Sequence, residues 1–438
     1  MKYIVFLLLV LNFSSLHSEV FTVSNTDNSG TGSLRQAIVD ANNEAGDDSI
    51  VFNIPSGECD GMNTGICRIL IDSAFPIITE GVTIDGTTQP QWGSVPNNIC
   101  ATDESPSYMR VEIVASGVAY SIFDTNNSTP VIVKGLSIGG NSNNSTSLTG
   151  FQLDGTTVGN RLYCNHIGVN AKGNAIQELR DGIHISFSVI SQDQQAIIGT
   201  NSDGNDDIAE RNIIHGDNRG LYLNVGGPYI IAGNYFSLTS EGVVLPGDKS
   251  RECFYMRQSL SGILVGSNLD GQYDDLERNL FGSCETGIFM EPRESSDNIV
   301  IAGNWFGLQA DTNSGLTDIG ISLEATSSAV TVLNTTIKNN WFVTNTADLI
   351  VDSVSILSND STGNCLNGTS VGLDHRGDAL DLAITNNYWG ADDGPSGDGT
   401  GSGSQVLNTG IGSISYTPFL TSIPHSCATD LIFFNGFE

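Results

Sequence analysis

The chain is poor in positive charge. Seventeen lysines and arginines stand against 49 aspartates and glutamates in 438 residues, a formal net charge of −32. Nucleic-acid binding needs a basic footprint and is excluded on that ground. Unaided binding to anionic membranes or uronate polymers is disfavoured for the same reason. Proline is scarce at 12 residues, and the 50 glycines follow no Gly-X-Y period, which excludes a collagen-like chain. After the N-terminus no stretch approaches 18 apolar residues, so the mature chain is not membrane-spanning. A Gly-x-Ser-x-Gly elbow, a phosphate loop, a dinucleotide fingerprint and zinc-type cysteine spacing are all missing. What is present is 39% hydrophobic residues, enough for a core.

Met1 to Ser18 reads as a secretory signal peptide, with Lys2 in the n-region, Ile4 to Leu11 as the apolar stretch and Ser18 before the cut. All eight cysteines follow it: Cys59, Cys67, Cys100, Cys164, Cys253, Cys284, Cys365 and Cys427. An even count in an exported chain points to disulfides, with Cys59–Cys67 the best local pair and the rest open.

The central chain repeats. NSDGNDDIAERN at Asn201–Asn212 returns as NLDGQYDDLERN at Asn268–Asn279, offset by 67 residues. YIIAGNYF at Tyr229–Phe236 returns as IVIAGNWF at Ile299–Phe306, offset by 70. Signature asparagines recur at Asn165, Asn212, Asn234, Asn279, Asn304, Asn340 and Asn387. The interval from Asn212 to Asn234 is 22, and from Asn279 to Asn304 it is 25. Short apolar runs at that period predict a solenoid, with asparagine ladders at one corner. The expected fold is all-β, a right-handed parallel β-helix of about 15 coils and roughly 70 Å, counting three coils to each 67–70-residue unit. Ser33-Leu34-Arg35-Gln36 fits a capping box, and Leu34, Ala37, Ile38 and Ala41 share one helical face. A short N-terminal helix is therefore expected to cap the first coil. The expected divisions are a signal peptide (1–18), an N-terminal strand and capping helix (19–56), the β-helix (57–425) and a C-terminal tail (426–438).

FTVSNTDNSGTGSLRQAIVDANNEAGDDSIVFNIP at Phe21–Pro55, VTIDGTTQP at Val82–Pro90, the repeat blocks, and NNYWGADDGPSG at Asn386–Gly397 with YTPFL at Tyr416–Leu420 carry a resemblance. Together they resemble bacterial exported β-helix proteins with a CSLREA-like opening. The closing DLIFFNGFE, Asp430–Glu438, resembles a short tail on some secreted bacterial proteins. The resemblance implies a secreted or surface protein. It includes adhesin-like members and shares its fold with pectin-degrading enzymes. Fold does not fix function, so chemistry rests on sites.

A polysaccharide lyase needs a basic residue as proton acceptor. Arg211 and Arg278 recur with the repeat, which suits pairing with Glu210 and Glu277 or bonding to turn carbonyls. A glycoside hydrolase needs two carboxylates across a bond. Asp206-Asp207, Asp274-Asp275 and Asp392-Asp393 are candidates, or solvated turns. Asp374-His375-Arg376-Gly377-Asp378 is the densest ionisable cluster, with His375 a candidate base, an adhesive Arg-Gly-Asp, or an ordinary turn. Asp203, Asp207, Asp270 and Asp274 sit in matching turns that either bind calcium or only close the turn.

Tyr235, Trp305, Trp341 and Tyr388 follow the repeat asparagine, and Phe236, Phe306, Phe342 and Trp389 come next. Alternation sends the members of each pair to opposite sides. With the phenylalanines inside, Tyr235, Trp305, Trp341 and Tyr388 either stack on sugars or pack beneath long loops. The expected function is a secreted or cell-surface protein binding an extracellular polysaccharide or cell-surface glycan, adhesin-like and without catalysis. A polysaccharide-degrading enzyme is the alternative.

Overall fold

The computed structural model describes residues 18–427 apart from residues 61–63, 94–99, 101–107, 119, 128, 142–146, 156–158, 187–194, 225, 326–329, 354, 358–359, 369–370 and 378–380. Residues 1–17 of the signal segment, the closing Asp430–Glu438 and Asp378 of the Arg-Gly-Asp lie outside the described residues.

Short strands stack into three long parallel sheets of 11, 10 and 11 strands, so the chain is a parallel β-solenoid. The first sheet begins with Val20–Val23 and Asp48–Phe52 and runs to Thr331–Lys338 and Ser355–Leu357. The second runs from Cys67–Ile71 to Cys365–Leu366, and the third from Ser121–Asn127 to Gly403–Asn408 and Pro395–Gly397. Eleven strands make a stack of about 50 Å, not the 70 Å expected.

The difference lies in coil length. Asparagines 165, 212, 234, 279, 304, 340, 364 and 387 are fully buried at one corner. Each side-chain amide donates to the next asparagine's carbonyl oxygen, at 2.9–3.2 Å. Neighbours in this ladder are 47, 22, 45, 25, 36, 24 and 23 residues apart. The 67-residue unit is therefore two coils, a short one and a long one carrying the turn block, rather than three. The gap from Asn340 to Asn387 is split by Asn364, which sequence reading passed over.

Inside, Phe236, Phe281, Phe306 and Phe342 stack with ring centroids 4.8, 4.7 and 4.7 Å apart. The facing strands admit them by carrying glycine: a Cβ at Gly287 would stand 2.7 Å from Phe306, and one at Gly320 2.5 Å from Phe342. Trp389, fully buried, belongs to the same core. At the upper end the helix Leu34–Asn43 packs on the first two strands. Ser33 caps it, its hydroxyl accepting from the Gln36 N–H at 3.2 Å, and Leu34, Ala37, Ile38 and Ala41 are buried. The Gln36 side chain turns to Asp40 instead of back to Ser33, so the capping box is half formed.

All eight cysteines are paired, as Cys59–Cys67, Cys100–Cys164, Cys253–Cys284 and Cys365–Cys427. Among the described residues no helix is long and apolar enough to cross a membrane.

Candidate functional site

The turn blocks use their carboxylates locally. Asp203 accepts from the Asn205 N–H at 2.8 Å, and Asp270 from the Gln272 N–H at 2.8 Å. The Asn205 amide holds the exposed Asp203 carboxyl below its ordinary value. Asp207 accepts from the Thr200 hydroxyl at 2.5 Å, and Asp274 from the Ser267 hydroxyl at 2.8 Å. Glu210 and Glu277 close the blocks by accepting from the N–H groups of Asn201 and Asn268 at 3.1 and 2.9 Å. Among the described residues no three His, Cys, Asp or Glu side chains gather to hold a metal ion. Asp203, Asp207, Asp270 and Asp274 thus close their turns, one of the two roles expected of them. Asp206 is exposed with φ 60° while Asp207 is buried, so this pair flanks no common space.

The aromatic corners take the second of their two expected places, packed away from solvent. Tyr235, Trp305 and Trp341 are 8, 3 and 8% exposed, and with Tyr388 they form a second apolar cluster outside the main core. Leu238, Leu245, Leu308 and the Cys365–Cys427 bridge cover it. Arg211 and Arg278 lie over Tyr235 and Trp305 at 4.1 and 4.3 Å, and the Arg211 Nε donates to the Gly233 carbonyl at 3.0 Å. Tyr235, Trp305 and Trp341 are therefore withdrawn from solvent, while Tyr388 is half-buried. A hollow of 540 Å³ lies beside the second block, lined by Tyr273, Asp274, Arg278 and His425 among others. It adjoins Asp274 and Arg278, which already close the turn and cover Trp305, and we do not assign it the main site.

Asp374-His375-Arg376 is split by strand alternation. Asp374 and Arg376 face outward and pair with each other at 3.6 Å, while His375 is fully buried with Nδ1 2.9 Å from the Asn408 side-chain Oδ1. His375 is therefore corrected from base to core residue.

The outer face of the third sheet sets Asp374 in line with groups that sequence reading missed. Asp124, Gln152, His184, Tyr222, Tyr255, Phe289, Ser322, Ile350 and Asp374 stand in one register column. Strand alternation with buried Ile183 and Ile185, Leu221 and Leu223, and Phe254 and Met256 puts this column outside. His184, Tyr222, Tyr255 and Phe289 stack at 4.4, 5.1 and 5.3 Å. The stack ends at His184. Beyond it the column carries no ring, and there the face hollows into a cleft of 290 Å³. Tyr120, Asp124, Gln152, Arg180, His184 and Tyr222 are among its walls.

Charges meet here in pairs. Asp181 bonds Arg180 at 2.9 Å and faces Arg219 at 3.8 Å. Arg219 lies over both Tyr222 and Tyr255, at 4.1 and 4.7 Å. Further along, Arg251 pairs with Glu252, and Arg257 and Arg293 with Glu291. The Asp124 carboxyl is pushed up to about 6, by burial first and by the Asp154 charge second. Burial holds the His184 imidazole below its ordinary value, outweighing Asp181 and Asp154.

A signal for this column was in the sequence. Gly182-Ile-His-Ile, Gly220-Leu-Tyr-Leu, Cys253-Phe-Tyr-Met and Gly287-Ile-Phe-Met share one pattern: a small residue, an apolar one, a ring, an apolar one. Irregular coil lengths hide it from any fixed period. Compared with known proteins, the chain matches no family model and no curated protein.

Proposed function

We propose that this chain is an exported β-solenoid protein that holds a neutral glycan along the outer face of its third sheet, with the cleft beside Asp124 and His184 as the main contact. The observation carrying this is the cleft itself: a hollow at the end of a ring stack, walled by arginine, carboxylate, amide and imidazole groups that can meet sugar hydroxyls. Ligand pockets combine apolar walls with a few converging polar groups in this way. The arginines of the face are matched to carboxylates, which favours a ligand without net charge over a uronate polymer. Export is supported by the N-terminal signal pattern and by the pairing of every cysteine. The coil is read as right-handed, the hand that parallel strand–crossover–strand connections take in about 98% of cases. Kinship with the bacterial surface β-helix proteins rests on the opening and closing segments.

Affinity electrophoresis on xylan, mixed-linkage β-glucan and galactomannan tests the reading. The full chain is expected to be retarded by at least one of them. Tyr222→Ala combined with Arg219→Ala is expected to abolish the retardation, and Trp305→Ala to leave it unchanged in the folded fraction. Mobility unaffected by any of these glycans overturns the proposal.

A further inference from the structure

Two carboxylates of this face, Asp124 in the cleft wall and Asp154 just outside it, take no part in the ion pairs described above. Asp124 forms part of the wall. Asp154 stands one coil on and two residues along, because Asp124 registers with Gln152. One strand spacing and two residues of rise put the two Cα atoms about 8 Å apart. Both side chains lie on the outer face, since the residues flanking them, Phe123, Thr125 and Leu153, are buried. Their surroundings differ. Asp124 is half-enclosed and has no ion-pair partner among the described residues. Asp154 accepts from the Gln152 amide at 2.8 Å and from the Ser186 hydroxyl.

The other titratable groups of the cleft are already committed. Asp181 is buried against Arg180 and Arg219. His184 is stacked on Tyr222. Tyr120 is a phenol at the rim, 78% exposed. What remains is a pair of carboxylates in unlike environments, one suited to carry a proton and one placed to accept one. Such a division of environment separates acid from base in carboxylate chemistry.

We propose that the cleft hydrolyses the neutral glycan it binds, with Asp124 as general acid and Asp154 as general base; this rests on the glycan-binding reading above. In the step, the bond between the anomeric carbon and the glycosidic oxygen breaks, and its electron pair stays with that oxygen. The Asp124 carboxyl proton passes to the same oxygen. A water oxygen bonds to the anomeric carbon, and a proton of that water passes to Asp154. One water is consumed and one new reducing end appears. Proton exchange with solvent resets both carboxyls. The carboxyl raised to about 6 places the loss of the acid form near that pH. Arg180, Arg219, Asp181 and His184 face the same space and bear on the position of that limb.

The experiment measures reducing-end release and retention together, using the full chain with xylan, mixed-linkage β-glucan and galactomannan between pH 4 and 8. Release is expected from a retained glycan, with a rate that falls as pH rises above about 6. Asp124→Asn and Asp154→Asn are expected to lower it about 10²–10⁴-fold. Asp124→Glu keeps a carboxyl and is expected to regain release with a displaced pH limb, which a merely structural role would not produce. Retention by the unaltered chain without release overturns hydrolysis and leaves the binding reading standing. Neither retention nor release overturns both. Release undiminished in the two Asn variants, or an Asp124→Glu chain that retains glycan but stays as inactive as Asp124→Asn, overturns the assignment to this pair.

Discussion

Asp348 is an acid in the interior. It is fully buried, at a place in the third sheet where the neighbouring coils carry Gly320 and Gly372. The Thr344 hydroxyl donates to it at 2.7 Å and the Gly368 N–H at 3.1 Å. Burial nevertheless outweighs these donors and pushes the carboxyl up to about 7. A carboxyl raised on folding binds its proton more tightly in the native state. Its contribution to stability is complete below the unfolded value near 4 and is lost as pH rises through 7. Asp348→Asn keeps the shape and cannot ionise. Its amide oxygen can accept from Gly368 and its amide nitrogen can donate to Thr344. The expected outcome is a melting temperature close to the parent's at pH 4.5 and above it at pH 8.5, with the gap opening between about pH 4 and 7 and staying constant above that. Parallel melting curves that keep the same gap across that range would rule out this account of Asp348.

At the scale of elements, the asparagine corner does what the short strands of the second sheet cannot. Several of those strands have two residues, such as Tyr235–Phe236, Leu280–Phe281 and Trp305–Phe306, so each pairs its neighbours over a very short length. The ladder adds side-chain bonds at each coil from Asn165 to Asn387. Asn279 donates to the Ile231 carbonyl at 2.7 Å and to Asn304 at 3.0 Å. Its own oxygen accepts from the Asn234 backbone and side-chain N–H groups, both at 3.0 Å. Removing the amide leaves buried groups on the two neighbouring coils short of a partner, and each such group costs about 1–3 kcal/mol before any relaxation. Asn279→Ala is expected to lower stability by about 2–4 kcal/mol, read as a fall in the denaturation midpoint. Asn279→Asp, isosteric but lacking donors, is expected to lower it as well. A midpoint unmoved by both substitutions would show that backbone pairing alone holds the corner.

For the whole molecule, the two ends are the exposed problem of any solenoid, because the terminal coil presents unpaired strand edges and core side chains. Here the upper end is covered by the helix Leu34–Asn43, whose Leu34 and Ile38 join the same core as Val23, Ile50 and Phe52. A double substitution, Leu34→Asp with Ile38→Asp, is expected to lift the helix and expose that coil. The outcome to look for is concentration-dependent association in light scattering with the β-type circular dichroism preserved. A chain that remains monomeric at high concentration would show that the helix is a connection and not a cap. The net charge of −32 opposes association throughout, so the effect is expected to grow with added salt as repulsion is screened.

The amino-acid sequence determined the class of fold, the inward phenylalanines, the buried asparagine corner and the capping helix. Each of these depends on local spacing: alternation along a strand, a helical face of Leu34, Ala37, Ile38 and Ala41, and an asparagine once per turn of the coil. Cys59–Cys67, the closest pair along the chain, was legible for the same reason. The number of coils was not legible, because turn blocks such as Asn201–Asn212 and Asn268–Asn279 lengthen some coils to nearly twice the length of others. The exposure of Tyr235, Trp305, Trp341 and Tyr388 was left open, because it depends on loops returning from distant positions to cover them. Only the tertiary structure could set Asp124 beside Asp154, or His184 under Tyr222. Those neighbours are a full coil apart in the chain, the coils differ in length, and contact between them is fixed by the stacking register and not by any interval along the sequence.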